Sequence, residues 1–347
     1  GAMRGFGVNQ VTFAMESCVD ELCESGGFDR WQFRFENVLK TGDRTASGQI
    51  LGEGVGLRET LLAVKEDFYQ ARIAGLACGL KNCGIGNGVL EECEAGIDIV
   101  SDHRILLQHG WTEMGQGVDT VAQQILCEEA GLDDPTIIEV KTSTRYQARA
   151  GMTTASRATF MLGKAIIDAA SELKSDLKTG SLATLAGKSY HGSWKCDWTT
   201  DSEDDVDPKS HYAYGYATHL VVLDDDGNVD TVVAAHDGGR IINPTLFEGQ
   251  IEGAVVMGLG YALTEDLPMV KGRLKTKRFG KLGIPRIKNT PKIIVKGIEV
   301  PDPLGPYGAK GVGEIGNIPT AAATANALFQ FDAVRRHELP MKKKPPT

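Results

Sequence analysis

Near the C-terminus a glutamate sits inside a run of glycines, Gly308-Ala309-Lys310-Gly311-Val312-Gly313-Glu314-Ile315-Gly316, and small apolar residues follow at once. This stretch constrains the fold more than any other. Ile318, Ala321, Ala322, Ala325, Leu328 and Phe329 recur at helical spacing and give that segment one apolar face. Asn317 is placed to cap the helix, and Pro319 fits its first turn. Glu314 is therefore expected on a tight loop against a buried helix, where loss of water suits a carboxylate to act as a base. The plainer reading is a glycine turn whose glutamate faces solvent.

The same residues contain Gly311-Val312-Gly313-Glu314-Ile315-Gly316, a match to the G-x-G-x-x-G fingerprint of dinucleotide folds. That fold needs a strand running straight into the first glycine. Here the nearest strand-like run, residues 292–300, is cut off by Pro301, Pro303 and Pro306, and no strand follows the helix. A Rossmann unit does not fit.

A chain of 347 residues, 41% of them hydrophobic, can build one large domain or two lobes with their own cores. Its 37 basic and 46 acidic residues give a net charge of −9, which argues against a nucleic-acid partner. No apolar run approaches the roughly 20 residues that span a bilayer, and the opening residues lack a signal-peptide pattern. Seven cysteines, with no C-x-x-C pair, read as reduced and mostly buried thiols, which points to the cytoplasm. They lack the spacings of zinc or iron–sulfur ligands, so no Fe–S cluster is expected in this chain, and no ligands for FAD are found in it either. The chain opens on Gly1-Ala2-Met3-Arg4-Gly5-Phe6-Gly7, which reads as the middle of a domain, with Gly1–Met3 either native or an expression scar.

In chain order, the periodicity predicts helices over 10–25 and 58–70, with polar Gly-rich sequence between them, and a buried strand over 71–80. A hairpin follows over 96–100 and 104–109, then a helix over 119–130, a strand over 136–141 and a long helix over 156–177. Residues 178–210 are polar and irregular, with the acidic run at 201–205 read as a solvated loop. A second hairpin, 213–223 with 229–236, turns at Asp225-Asp226-Gly227-Asn228, and Asn243-Pro244 opens a helix to about residue 263. This order, without strict βαβ alternation, predicts an α+β fold with mixed sheets in two lobes. We place the first lobe at 1–190, with the tail end of a preceding domain at 1–75. The second lobe spans 191–335 and carries the Glu314 loop, and 336–347 form a flexible tail.

Three loops meet helix starts: Gly115-Gln116-Gly117, Gly151-Met152-Thr153-Thr154-Ala155-Ser156, and the Glu314 loop. Each is either an ordinary cap or a cradle for a phosphate or oxyanion, because a helix N-terminus offers free N–H groups and the positive end of its dipole. Gln116 and Gln250 each carry donors and an acceptor for a cofactor edge. There is no H-E-x-x-H and no G-x-S-x-G, so zinc and serine hydrolases have no footing. A non-catalytic module that binds a nucleotide or scaffolds a complex remains the rival from another class.

Six motifs then occur in one order: Arg4-Gly5-Phe6-Gly7, Gly110-Trp111-Thr112-Glu113-Met114-Gly115-Gln116-Gly117, Thr153 to Arg157, Asp237-Gly238-Gly239-Arg240-Ile241-Ile242-Asn243-Pro244, Gly249-Gln250-Ile251-Glu252-Gly253, and Gly308 to Glu314. Together they resemble the molybdenum hydroxylases of the xanthine dehydrogenase and aldehyde oxidoreductase type, over nearly the whole chain. The likeness is to the C-terminal part of the molybdopterin-binding region. The earlier Gln-Gly-Gly and Phe-Gly-Gly loops have no counterpart here, an arrangement similar to the medium molybdopterin subunit of nicotinate dehydrogenase. The resemblance implies molybdopterin with molybdenum, as a cytosine dinucleotide, with a terminal sulfido or selenido ligand. It implies Glu314 as the base in hydroxylation of an N-heterocycle (nicotinate or purine type) by water-derived oxygen, with an aldehyde as the alternative substrate. It implies Phe6 beside the substrate ring and the Arg4 backbone N–H near a molybdenum oxo group. Gly115, Gln116, Gly117, Thr153, Thr154, Ala155, Ser156, Gln250, Lys310, Gly311, Val312 and Gly313 are implied as cofactor contacts. The implied partners are a chain supplying the N-terminal part of the molybdenum region, and [2Fe-2S] and FAD subunits that carry the electrons away. The second substrate-sandwiching aromatic has no match in Leu80-Lys81-Asn82-Cys83-Gly84-Ile85-Gly86.

Overall fold

The computed structural model describes residues 2–341 apart from 147, 202, 204 and 205. The acidic loop expected at 201–205 therefore lies partly outside the described residues, as does the end of the expected flexible tail, 342–347. The elements are α1 (Val8–Gly26), α2 (Arg30–Asn37), α3 (Leu57–Ala63), α4 (Lys65–Gln70), β1 (Ala74–Cys83), β2 (Glu91–Ser101), β3 (Arg104–His109), α5 (Val118–Ala130) and β4 (Ile138–Lys141). There follow α6 (Ala158–Leu177), β5 (Ser189–Cys196), β6 (Ala213–Leu223), β7 (Val229–Asp237), α7 (Pro244–Leu263), the short β8 (Met269–Val270) and β9 (Arg273–Leu274), β10 (Lys292–Ile298) and α8 (Thr320–Asp332).

Both four-stranded sheets are mixed, as an α+β chain without βαβ repeats should give. One runs β1-β6-β7-β10, with β10 parallel to β7 and the other pairs antiparallel; the other runs β4-β3-β2-β5, with β4 parallel to β3. The first is covered on both faces. Leu76, Tyr214, Tyr216, Leu220, Val233 and Ala235 pack with Trp31, Leu57 and Leu61 of α2 and α3. Their neighbours in sequence, Ala77, Val221, Val232 and Ala234, point the other way into a cluster with α7 and α8. Successive side chains of a strand face opposite ways, so a strand with two covered faces reads as a continuous apolar run. The second sheet packs on α5 and α6 through Ile97, Leu107, Ile125, Phe160 and Ile166.

β1 runs against α8 without room for a side chain at Gly75: a Cβ there would lie 2.1 Å from the Ala327 nitrogen. This explains the composition of α8, in which every residue from Thr320 to Leu328 is buried and most are alanine or threonine. The periodicity predicts one apolar stripe; the helix is buried all round.

Several expectations are corrected. Residues 30–37 are helical, with the Asp29 side chain accepting from the Gln32 N–H at 2.7 Å, a cap hidden in polar sequence. The helix expected over 58–70 is two helices broken at the fully buried Val64. Residues 189–196, expected to be irregular, form β5 beside β2. Asn317 does not cap α8; its amide donates to the Arg4 carbonyl at 2.8 Å, and a short 3-10 turn, Ile315–Asn317, precedes the helix. Finally, β1 belongs by sequence to the stretch assigned to the first lobe, yet it pairs along its whole length with β6. The strand order, not the chain order, decides which residues share a core.

Candidate active site

Glu314 lies where the two sheets meet. β1 ends at Cys83, and the Gly84 N–H donates to the Ala155 carbonyl at 2.8 Å, joining the first sheet to the loop that enters α6. From that loop the Ser156 hydroxyl accepts from the Glu314 N–H at 3.0 Å and reaches the Glu314 Oε2 at 3.2 Å. The Gly5 N–H donates to Oε1 at 3.3 Å. Lys81, on β1, places its ammonium 3.3 Å from Oε2, and the two side chains are only 5% and 14% exposed. The sequence predicts a carboxylate shielded by glycines and a helix; the structure shields it and also gives it a counter-ion.

The first residues of the chain close the other side. The Arg4 guanidinium donates from Nε to the Gly313 carbonyl and from Nη2 to the Gln250 Oε1 at 3.0 Å. Burial lowers the Arg4 pKa from its ordinary value, with Glu314 opposing that shift. Gly5, Phe6 and Gly7 all have positive φ, as do Ala155 and Ser156 on the facing loop. Non-glycine residues rarely adopt this conformation, and clusters of it mark backbone held in place by a site. Phe6 itself projects into solvent, 75% exposed.

Residues 151–157 bridge this cluster to a second loop. Thr153 Oγ1 accepts from the Thr112 N–H at 3.1 Å, bringing the loop before α5 alongside. The bridge is anchored below by a buried pair, Arg157 to Glu91 at 2.8 Å, with Arg157 also donating to the Met152 carbonyl at 2.9 Å. Met114 and Met152, on the two adjacent loops, are both largely exposed.

Not every implied contact is free to act. Lys310 is fully buried, its ammonium spent on Asp237 and, at 2.6 Å, on the Gly54 carbonyl, while its N–H donates to the Gly238 carbonyl at 2.9 Å. Its ammonium braces the loop from beneath, which leaves the backbone carbonyl as the group that could face a cofactor. Gly311 is a packing position: a Cβ would meet the Ser156 carbonyl at 1.5 Å. Gln116 turns back on its own loop, accepting from the Met114 N–H at 2.6 Å and donating to the Thr112 carbonyl at 2.8 Å. The N–H groups at the start of α5, expected as an anion cradle, are taken by the Glu113 carboxylate: Gly115 at 2.6 Å, Gly117 at 3.1 Å and Asp119 at 3.4 Å. Burial pushes the Glu113 carboxyl up, but those donors outweigh it and hold it below the usual range.

Sequence reasoning missed Lys81 and the guanidinium of Arg4. A signal existed for the first: one lysine at the end of a run of glycine, alanine, leucine and cysteine read as a buried strand. The arrangement as a whole presents a fixed, shielded carboxylate next to exposed backbone turns and amide side chains. That donor set can hold a polar, anionic ligand. Gln250 and the loops at 4–7 and 151–156 are the residues best placed to hold it.

Comparison with known proteins supplies the family. A family model described as the molybdopterin cofactor-binding domain matches residues 58–186 and 181–291, and a second model of the same description matches residues 1–38. A protein of Bacillus subtilis described as a probable xanthine dehydrogenase component is 27% identical over 99% of this chain and 52% of its own length. A nicotinate hydroxylase of Emericella nidulans is 30% identical over 86% of this chain and 26% of its own. Among solved structures, the aldehyde oxidoreductase of Desulfovibrio gigas superposes with a TM-score of 0.89 at 26% identity, covering 98% of this chain and 40% of that one. Quinoline 2-oxidoreductase of Pseudomonas putida 86 shares the fold, with a TM-score of 0.83 at 20% identity over 99% of this chain and 52% of its own. The chain thus spans about half, or less, of the length of the relatives it matches.

Proposed function

The chain belongs to the molybdopterin cofactor-binding family of the molybdenum hydroxylases, and from that premise we propose that it carries the proton-accepting half of such an enzyme's active site. The reaction we assign is hydroxylation of an N-heterocycle of nicotinate or purine type. The observation that carries this reading is the Glu314 carboxylate, oriented by Ser156 and the Gly5 N–H at the junction of the two sheets.

Molybdopterin, when bound, supplies a two-electron redox centre and the Lewis acidity of its metal. Glu314 takes up the proton that the reaction releases, and its position out of bulk water keeps that proton in the site. Phe6 offers a flat face to the substrate ring. The Arg4 backbone N–H, Gln250, Val312, Gly313, the residues Thr153, Thr154, Ala155 and Ser156, and the loop of Gly115, Gln116 and Gly117 line the cofactor, which we take to be the cytosine dinucleotide. For Gln116 this requires the side chain to release its own loop. A partner chain supplies the rest of the pocket. Partner subunits carrying [2Fe-2S] and FAD centres accept the electrons, and the reduced thiols favour the cytoplasm.

An aldehyde substrate is the second reading, favoured by the close superposition on an aldehyde oxidoreductase. Purification of the native assembly, with molybdenum and pterin-nucleotide assays and a panel of nicotinate, purines and aldehydes, separates these. Glu314→Gln should keep molybdenum content while turnover falls by about 10²–10⁴-fold, the usual worth of a general base. Near-normal turnover in that variant removes the mechanism. An assembly without molybdenum that binds NAD or ATP tightly would make the chain a nucleotide-binding or scaffolding module instead.

A further inference from the structure

We propose that Lys81 is a positioning residue for Glu314, an ammonium fixed from the scaffold side that sets the carboxylate's orientation and balances its charge. The proposal rests on the reading of Glu314 given above. Lysine is seldom buried, and a buried ammonium without a counter-charge is costly. Lys81 is nevertheless 5% exposed, at a strand end otherwise made of glycine, leucine, asparagine and cysteine.

The ammonium is held by hydrogen bonds to Asn82 and by an ion pair with Glu314. The ammonium has three N–H donors, and three acceptors surround it: Glu314 Oε2 at 3.3 Å, Asn82 Oδ1 at 2.5 Å and the Asn82 carbonyl at 3.4 Å. Asn82 is itself fixed, because its amide donates to the Gly84 carbonyl at 2.6 Å, and the Gly84 N–H continues to the Ala155 carbonyl at 2.8 Å. That chain of bonds ends one residue from Ser156, the other side chain holding Glu314. Lys81 and Ser156 thus grip the same carboxylate oxygen from two loops that are bonded to each other.

Other groups near the carboxylate do not duplicate this role. Arg4 also feels the Glu314 charge, but its guanidinium hydrogen bonds go to Gly313 and Gln250 and not to the carboxylate. Lys310, on the same loop, is paired with Asp237. The Cys83 thiol, pushed up to about 12 by burial, donates to the Gly311 carbonyl at 3.4 Å. Gly5 and Ser156 contribute neutral donors. Among the described residues, Glu314 is the one carboxylate within ion-pair reach of Lys81. A structural lysine could as well have been replaced by an apolar residue of similar volume. The coupling to Glu314 gives it a purpose beyond packing.

The test uses the native assembly. With molybdenum content matched to wild type, Lys81→Ala should lower kcat by about 10- to 100-fold, the scale of a misoriented catalytic group, and leave KM within about threefold. Added propylammonium should restore part of the rate, and 1-propanol, of similar size but uncharged, should not. Independently of turnover, the cofactor-free assembly labelled with ¹⁵N-lysine should show a protected ammonium signal that is lost in Lys81→Arg and moves in Glu314→Gln. Wild-type kcat in fully loaded Lys81→Ala, or equal rescue by propanol, overturns the proposal. If Lys81→Ala fails to fold, an ammonium signal indifferent to Glu314→Gln overturns it alone. Absence of molybdenum from the wild-type assembly would defeat the functional reading while leaving the ion pair to be judged by its own signal.

Discussion

At the scale of single residues, the interior of the first sheet holds an unusual neutral pair. The Nε2 atoms of His219 and His236 lie 2.7 Å apart, so one must donate and the other accept, and His219 Nδ1 meets the Thr320 hydroxyl at 3.1 Å. Burial pushes the His219 imidazole down to about 3. Burial also holds His236 well below the ordinary value, with the charge of a protonated His219 and of Arg4 adding to the effect. An unfolded histidine titrates near ~6.5, so between there and about 3 the unfolded chain binds a proton that the folded chain refuses. This contribution to stability is complete above about pH 6.5 and is lost as pH falls towards the folded value, by about 1.4 kcal/mol per pH unit for one such group. Denaturant midpoints should therefore drop between pH 7 and 5, less steeply in His219→Asn than in wild type. Equal slopes would remove the assignment. The same accounting explains Lys310 and Asp237: two buried charges tolerated because each satisfies the other, beneath a loop that must keep its shape.

At the scale of elements, close approach rather than apolar mass sets the geometry. β1 can lie on α8 only because Gly75 has no side chain, and Asn326 of α8 stitches the two together by donating to the Leu76 carbonyl at 3.0 Å. Gly75→Ala would drive a methyl group into the helix backbone, 2.1 Å from one nitrogen and 2.2 Å from the Ala323 carbonyl oxygen. We expect a loss of about 3 kcal/mol, the upper part of the overpacking range, read from urea unfolding. A change below about 0.5 kcal/mol would mean that α8 slides freely, against the packing described. The consequence reaches the site, because the turn at Ile315–Asn317 joins Glu314 to this helix.

At the scale of the molecule, the candidate site is a seam. Residues from the first turn, the end of β1, the loop into α6, α7 and the Glu314 loop meet there. Gly311 is the tightest point of that seam, with the Ser156 carbonyl occupying the space of a side chain. Gly311→Ala should therefore part the two loops, releasing molybdenum and pterin from the purified assembly while circular dichroism stays near wild type. Full cofactor retention would show that the seam yields elsewhere. Exposed Phe6, Met114 and Met152 lie on loops at or next to the seam, as expected of a surface that another body covers.

How much of this was legible in the sequence follows from where each signal resides. Local periodicity and turn chemistry are properties of neighbouring residues, so both hairpins, the long helices over 119–130, 156–177 and 244–263, and the Asn243 cap of α7 could be read directly. The ordered motifs likewise carried the family. Other features depend on partners distant along the chain. Helix α2 is held by the burial of Trp31 under α3, and β5 exists because β2 offers an edge. The roles of Lys81, Arg4 and Lys310 were fixed by what faced them across gaps of many residues. Sequence determined which segments could be helix, strand or glycine loop. Tertiary structure alone decided which charges would meet, because a buried charge takes its meaning from its counter-ion, and counter-ions are chosen by packing.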